Sequence, residues 1–209
     1  MLSPLTRLIR KWKYGEDVVV VSGLPRSGTS MVMSMLQAGG LPLVTDEARA
    51  ADEDNPKGYF EFEKIKDLAE MDDKSWLRDA RGKAIKIISH LLKELPEDNY
   101  YRIIFARRDL EEIIASQNIM LDRQSESNPV DDAKAIELYR KHLVNVRFLV
   151  RRKPNLEMIE LTYGDTLSDP RASAERINSF LGGNLNTEQM SAIVDERLYR
   201  NRKAQLGSS

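Results

Sequence analysis

Residues 18–30 read VVVVSGLPRSGTS, in which four valines run into a turn that holds two glycines and one arginine. A continuous apolar run is typical of a strand that is covered on both faces of a parallel sheet. Apolar residues then recur at helical spacing until the pair Gly39-Gly40 ends the pattern. The stretch therefore predicts a strand, a glycine-bearing turn and a helix N-terminus, an arrangement that favours a bound anion.

The side chains of the turn are suited to a phosphate group. Gly23 and Gly28 let the backbone approach a ligand closely, and Arg26 can hold a phosphate through two parallel hydrogen bonds. The candidate anion-binding residues are Pro25, Arg26, Ser27, Gly28, Thr29 and Ser30. The alternative is a turn that only caps its helix. The spacing is also close to the nucleoside-triphosphate loop G-x-x-x-x-G-K-[ST], but Thr29 replaces the lysine, which counts against Mg²⁺-ATP chemistry.

The rest of the chain alternates apolar runs with helical patterns, which favours a three-layer α/β fold with a mainly parallel sheet flanked by helices, of the P-loop nucleotide-binding type. Four runs predict strands: 18–21, 84–88, 103–106 and 156–161. Helices are predicted from Asp109, over 131–151, from Asp169-Pro170 to Gly182, and after Asn186. With 209 residues and no repeat, the chain predicts one domain, 1–209.

Composition excludes several classes of function. Lys plus Arg is 32 and Asp plus Glu is 33, which argues against nucleic-acid binding through bulk charge. The absence of cysteine excludes a thiolate metal site and a cysteine nucleophile, and two histidines leave no multi-histidine site, so no metal is predicted. No apolar run reaches the ~18 residues that a membrane span needs, and Met1–Tyr14 lacks the apolar stretch of a secretory signal. A cytoplasmic location is the prediction.

The turn resembles the 5′-phosphosulfate loop of the sulfotransferases that use 3′-phosphoadenosine 5′-phosphosulfate (PAPS). That family pairs the loop with an Arg at the end of a later strand and a Ser eight residues on, which together bind the 3′-phosphate. Here the run 103–106 ends in Arg107-Arg108, and Ser116 follows Arg108 by eight residues. Arg108 is expected at the carboxyl end of a strand, which is the ligand side of such sheets. The alternative is a surface salt bridge from Arg108 to Glu111 or Glu112.

Two later segments extend the resemblance over residues 18–203. The segment 161–170, LTYGDTLSDP, is similar to the family's strand ending in Tyr-Glu-Asp-Leu, and Thr162 and Tyr163 are expected near the adenine. Arg202 lies in a basic segment where the family contacts the 3′-phosphate, although a solvated tail is the alternative. The short length and the segment 55–61 look more like the small bacterial-type members.

The resemblance implies sulfuryl transfer from PAPS, as co-substrate, to a hydroxyl or amine of a small-molecule, peptide or sugar acceptor. Arg26 and Lys86 are the expected catalytic cations. The general base is ranked as Glu47, then Asp46, Glu61 and His90. The loop 40–60 is the expected acceptor-site loop, with Trp76 either stacking on the acceptor or anchoring the core. A P-loop kinase or nucleotide hydrolase, and a non-catalytic nucleotide- or anion-binding module, are the alternatives.

Overall fold

The computed structural model describes residues 4–46, 60–123 and 131–194. In chain order the helices are α1 (Pro4–Tyr14), α2 (Thr29–Ala38), α3 (Leu110–Arg123), α4 (Asp132–Arg152), α5 (Tyr163–Ser168), α6 (Pro170–Leu181) and α7 (Thr187–Ala192). The strands are β1 (Val18–Gly23), β2 (Leu43–Val44), β3 (Ala84–Lys86), β4 (Tyr101–Arg107) and β5 (Leu156–Thr162). Three short 3-10 helices span Glu63–Ile65, Ser75–Ala80 and Ser89–Glu94.

The five strands form one parallel sheet in the order β2-β3-β1-β4-β5. β1 is central, with Val20 opposite Ile85 of β3 on one side and Ile103 of β4 on the other. After β1 the chain forms β2 and β3 on one side of β1, and it then forms β4 and β5 on the other side. This reversal of strand order opens a crevice at the carboxyl end of β1, where α/β sheets bind ligands.

Helices cover both faces of the sheet, because alternate residues of β1 point to opposite sides and both sides are apolar. Val18 and Val20 belong to a core that includes residues of α3 and α4, and Val19 and Val21 to a core that includes residues of α2, α6 and α7. All six residues of β1 are buried. The predicted three-layer α/β fold is confirmed.

The predicted strands are present, but the prediction of four was one short. β2, with only Leu43 and Val44, lies inside the segment 40–60 that was expected to be wholly irregular. A strand of two residues is too short to show a periodic pattern, so β2 could not be predicted from the sequence. Residues 47–59 of that segment lie outside the described residues. The strand predicted over 84–88 ends at Lys86, since a 3-10 helix begins at Ser89 and Ile88 is exposed.

Helix α1 is attached to the amino edge of the sheet through charged groups. Arg10 and Arg102 both pair with Asp17, at N–O distances of 2.9 and 2.7 Å. Burial raises the pKa of Asp17 above its ordinary value, although both arginines act to lower it. The ring of Tyr14 packs against that of Tyr100, with centroids 5.7 Å apart. Among the described residues, no helix is long and apolar enough to span a bilayer.

Candidate donor-binding site

Two residues of the turn between β1 and α2 have a left-handed backbone conformation. Arg26 has φ 65° and Gly28, the N-cap of α2, has φ 100°. A left-handed conformation strains a residue that has a side chain, and such strain concentrates at functional sites. Pro25 is exposed at the tip of the turn, and Thr29 and Ser30 open the helix half-buried. The amide of Ser27 closes the turn by donating to the carbonyl of Leu24 at 3.2 Å.

Gly23 and Gly28 are both required in the turn, because neighbouring atoms lie too close to leave room for a side chain. A Cβ atom on Gly23 would collide with the Ser27 hydroxyl and lie 2.8 Å from the carbonyl oxygen of Ala106. A Cβ atom on Gly28 would lie 2.5 Å from Cδ2 of Tyr163. No side chain fits these positions without movement of the backbone or the Tyr163 ring. The turn therefore packs tightly on both β4 and the start of α5.

The hydroxyl of Ser27 is an unsatisfied polar group at the end of a helix. Ser27 is 1% exposed, and its Oγ atom has no hydrogen-bond partner within the part of the chain that the structure describes. The amides of the first turn of α2 point out of the same end, because the first intrahelical bond is Val32 N–H to Gly28 O. A phosphate oxygen placed there would satisfy these donors, so the residues present fit an anion.

The second predicted phosphate element lies directly against the first. Nε of Arg26 donates to Oγ of Ser116 at 3.0 Å, and Nη1 of Arg108 donates to the carbonyl oxygen of Arg26 at 3.3 Å. Ser116 is 5% exposed and lies on the flank of α3 that faces the turn. The fold thus brings together residues that are more than 80 positions apart in the sequence.

Arg108 is held by two further groups. Its Nε atom donates to Oε2 of Glu112 at 2.9 Å, and both side chains are below one-tenth exposed. Its guanidinium carbon lies 4.8 Å from the centre of the Tyr163 ring, a cation–π distance. Burial raises the pKa of Tyr163, while the positive charge of Arg108 acts in the opposite direction. The predicted ion pair with Glu112 exists, but it is buried inside the site rather than on the surface.

Glu112 belongs to the site because its carboxylate orients the guanidinium group of Arg108. This role was not predicted from the sequence. The signal was present in the spacing, since residues four apart lie on one face of a helix. From the sequence, an ion pair between Arg108 and Glu112 was only an alternative to ligand binding by Arg108. In the structure the two are compatible, because Oε2 of Glu112 accepts a hydrogen bond from Nε, which is one of several N–H donors of the guanidinium group.

Lys86 lies at the same edge of the sheet. It is the last residue of β3, is half-buried, and stands opposite Val21 of β1 in the parallel register. Neighbouring strands are about 4.8 Å apart, which puts the backbone of Lys86 one strand spacing from Val21, two residues before the phosphate turn begins at Gly23. Its position suits the predicted role of a second cation.

The described carboxylate candidates for the base come together beyond β2. The amide of Asp46 and the hydroxyl of Thr45 both donate to the carbonyl oxygen of Glu61, at 3.3 and 3.0 Å. The Asp46 carboxylate accepts the amide of Glu63 at 2.6 Å. β2 is two strand spacings, about 10 Å, from β1, so this pair lies to one side of the phosphate turn. Glu47, ranked first in the sequence analysis, lies outside the described residues.

His90 is in a paired arrangement with the other histidine of the chain. The rings of His90 and His142 stack with centroids 4.0 Å apart and planes 8° apart. Nε2 of His142 lies 2.8 Å from Oγ of the buried Ser89. Burial, with a smaller effect from His90, lowers the pKa of His142. His90 is exposed in the first turn of a 3-10 helix, and its ring is held by the stack with His142.

The remaining predicted residues fall in different places. Trp76 packs against Phe62, with ring centroids 5.5 Å apart, and against the core that contains Val18 and Val20, which supports the prediction that it anchors the core. Thr162 is exposed at the end of β5. Arg202 lies outside the described residues. No cluster of three or more His, Cys, Asp or Glu within residues 4–46, 60–123 and 131–194 could hold a metal ion.

A model of the sulfotransferase domain matches residues 16–206. The fold is similar to that of the sulfotransferase domain from the curacin biosynthetic pathway, with a TM-score of 0.52 and 12% identity over 93% of this chain and 98% of that one. For the mouse sulfotransferase SULT7A1 complexed with PAP, the TM-score is 0.47 and the sequence identity is 17%, with 93% of this chain and 66% of that chain covered. A search of curated protein sequences gives no match.

Proposed function

The chain belongs to the family of sulfotransferase domains, and on that premise we propose how its residues carry out PAPS-dependent sulfuryl transfer. The turn 23–30 holds the 5′-phosphosulfate of PAPS, and Arg108 with Ser116 holds the 3′-phosphate. The observation that carries this proposal is the hydrogen bond from Arg26 to Ser116, which joins the two phosphate elements into one cluster.

The turn acts mainly on the leaving group. The acceptor oxygen or nitrogen forms a bond to sulfur while the bond from sulfur to the 5′-phosphate oxygen breaks. The electron pair of that bond stays on the phosphate, which leaves as part of 3′,5′-adenosine bisphosphate (PAP). Arg26, the first-turn amides of α2 and Lys86 stabilise the charge that grows on this oxygen. Fixed donors in a partly buried site need little reorganisation at the moment of transfer.

A carboxylate takes the proton that the acceptor loses. Of the two described carboxylate candidates, we propose Glu61 ahead of Asp46, because the Asp46 carboxylate already accepts the Glu63 amide. A hydrogen bond to the charged form makes a carboxylate a weaker base. Glu47, which ranks first from the sequence alone, remains a candidate for the base. Replacing each in turn by Gln or Asn, and comparing kcat with KM for PAPS, identifies the base as the variant that loses kcat alone.

The acceptor is a hydroxyl or amine compound, which we place against the segment 40–60. The described residues 40–46 of this segment follow α2 and end at Asp46, whose amide donates to the carbonyl oxygen of Glu61, so we expect the acceptor to approach the phosphosulfate from this side. A small molecule, a peptide and a sugar are the acceptor classes to screen. The cytoplasmic location and the single domain over 1–209 remain predictions of the sequence.

Nucleotide binding tests the proposal. Isothermal calorimetry should compare PAP with ATP, each with and without Mg²⁺, on the wild type, Arg26→Ala and Arg108→Ala. We expect micromolar binding of PAP that does not need Mg²⁺ and is lost in both variants. Arg171→Ala is the matched control, because Arg171 is an exposed arginine of α6 that pairs with Glu175. A preference for Mg²⁺-ATP would favour a kinase, and binding of neither would favour an anion-binding module.

A further inference from the structure

Helix α1 presents an apolar face that no described residue covers. Leu8, Ile9 and Trp12 are 67%, 57% and 89% exposed. They lie at positions i, i+1 and i+4, which places all three on one side of the helix. A tryptophan so exposed beside two aliphatic side chains is an unusual surface for an isolated domain.

The opposite side of α1 is fixed to the sheet. Arg10 pairs with Asp17 and Glu157, at 2.9 and 3.4 Å, and its guanidinium carbon lies 4.3 Å from the centre of the Tyr100 ring. Tyr14 is buried. These contacts set the orientation of the helix, so the apolar face points away from the protein.

Basic residues border the apolar face on both sides. At about 100° per residue, Lys11 and Lys13 each lie roughly 100° from the direction in which Leu8, Ile9 and Trp12 point. The helix sequence PLTRLIRKWKY holds four basic residues and no acidic one, within a chain of net charge −1. Lys11 makes one exposed ion pair with Glu16, of the kind that contributes little. Apolar side chains bordered by lysines, with a tryptophan among them, are typical of helices that lie in a lipid interface.

We propose that the apolar face of α1, formed by Leu8, Ile9 and Trp12 with Lys11 and Lys13 at its borders, binds the surface of an anionic lipid bilayer. The lysines complement the negative surface and the apolar side chains enter the boundary between headgroups and acyl chains. A second copy of the chain fits less well. Eleven residues make a helix about 16 Å long, and one face about 10 Å wide falls far short of the ~800 Å² per partner of a stable interface.

The placement of α1 leaves the donor site accessible in the bound state. The helix lies at the amino edge of the sheet, beside Asp17 and Tyr100, whereas the phosphate turn lies at the carboxyl edge. A membrane under α1 would therefore face the side of the protein opposite to the nucleotide. Lipid binding and PAP binding are expected to be independent, so either can fail without the other.

Vesicle sedimentation of the full chain tests the proposal, with vesicles of phosphatidylcholine alone and of phosphatidylcholine with one-third phosphatidylglycerol. We expect at least tenfold stronger binding to the anionic vesicles, weakening as salt is raised. Trp12→Ser and the double variant Lys11→Glu with Lys13→Glu should each lose this binding. Phe148→Ser is the matched control, because Phe148 is an exposed aromatic residue of α4 and its replacement should change nothing.

Circular dichroism and PAP calorimetry on each variant separate lost lipid binding from lost folding. Equal binding to both vesicle types, no binding by the wild type, or an unchanged Trp12→Ser would overturn the proposal. So would a dimer in sedimentation velocity that Trp12→Ser abolishes, since the face would then belong to a second copy of the chain.

Discussion

Nε of Arg26 lies 3.0 Å from the hydroxyl oxygen of Ser116, a residue 90 positions further along the chain. The contact joins the phosphate turn to helix α3. In the proposed site, Arg26 serves the 5′-phosphosulfate and Ser116 the 3′-phosphate, so the two halves of the donor are bound by residues that also bind each other. This hydrogen bond places the two halves of the donor site directly beside each other.

Removal of the Arg26 guanidinium should abolish most of the catalysis. For Arg26→Ala we expect kcat to fall by a factor of about 10²–10³, the usual effect of removing one donor from a developing negative charge. Arg26→Lys should recover part of kcat, because it keeps a charge but loses the forked geometry. Steady-state rates of PAP release measure both, and an Arg26→Ala enzyme with wild-type kcat would remove Arg26 from the mechanism.

Ser116→Ala should weaken binding of PAP selectively. The loss of one hydrogen bond to a charged group costs about 1.5–3 kcal/mol, or roughly 10- to 100-fold in Kd. Binding of 5′-AMP, which lacks the 3′-phosphate, should change much less. Calorimetry with the two nucleotides makes the comparison, and an equal loss for both would show that Ser116 acts only through the position of Arg26.

The buried pair of Arg108 and Glu112 should contribute to both stability and PAP binding. Glu112→Gln leaves the guanidinium without its charged partner in a buried place, which typically costs about 3–5 kcal/mol of unfolding free energy. PAP affinity should fall as well, because Arg108 loses the group that fixes its direction. Urea denaturation and calorimetry measure the two effects.

A double variant separates the two roles of this pair. Arg108→Met with Glu112→Leu replaces both charges by apolar groups, a change that is often neutral for stability. We expect it to unfold at nearly the urea concentration of the wild type and to bind no PAP. Wild-type PAP affinity in this variant would show that the pair has only a structural role.

The stacked histidines predict a pH dependence of stability. Burial holds the pKa of His142 below its ordinary value in the folded protein, whereas the unfolded chain takes up the proton near pH 6.5. The unfolded state therefore binds more protons below that pH, and the free energy of unfolding falls as the pH falls from about 7 to 5. His142→Gln should lose less stability over this interval than the wild type. Urea denaturation of both proteins at pH 7.5 and 5.5 measures how much unfolding free energy each one loses between the two pH values. An equal loss in the wild type and His142→Gln would contradict the account.

Much of the fold was predictable because its central pieces are long and apolar. The valines of 18–21 mark β1, and the glycine-bearing turn after them marks the start of α2. The pairing of that turn with Arg108 and Ser116 was implied by the resemblance to the sulfotransferases, and the position of Arg108 directly after β4 fits the ligand side of a parallel sheet. The contact of Ser116 with Arg26 in place of a ligand was not, because it depends on the left-handed backbone of Arg26.

Other features of the structure could not be predicted from the sequence, for physical reasons. β2 is too short to show a pattern, and Tyr163 gave no signal that it would pack on Gly28 and Arg108. Glu112 had the correct spacing to pair with Arg108, but spacing does not reveal burial, and burial is what makes the pair important. The exposed face of α1 was readable as a helical period, although only the contacts of Arg10 and Tyr14 show which side faces outward.

A crystal structure of the protein grown with PAP tests the central claim most directly. The account predicts the 5′-phosphate within hydrogen-bond distance of the amides of the turn 23–30 and of the Ser27 hydroxyl. The 3′-phosphate should contact the Arg108 guanidinium and the Ser116 hydroxyl. Density for PAP at another place, or a 3′-phosphate that contacts neither Arg108 nor Ser116, would contradict it.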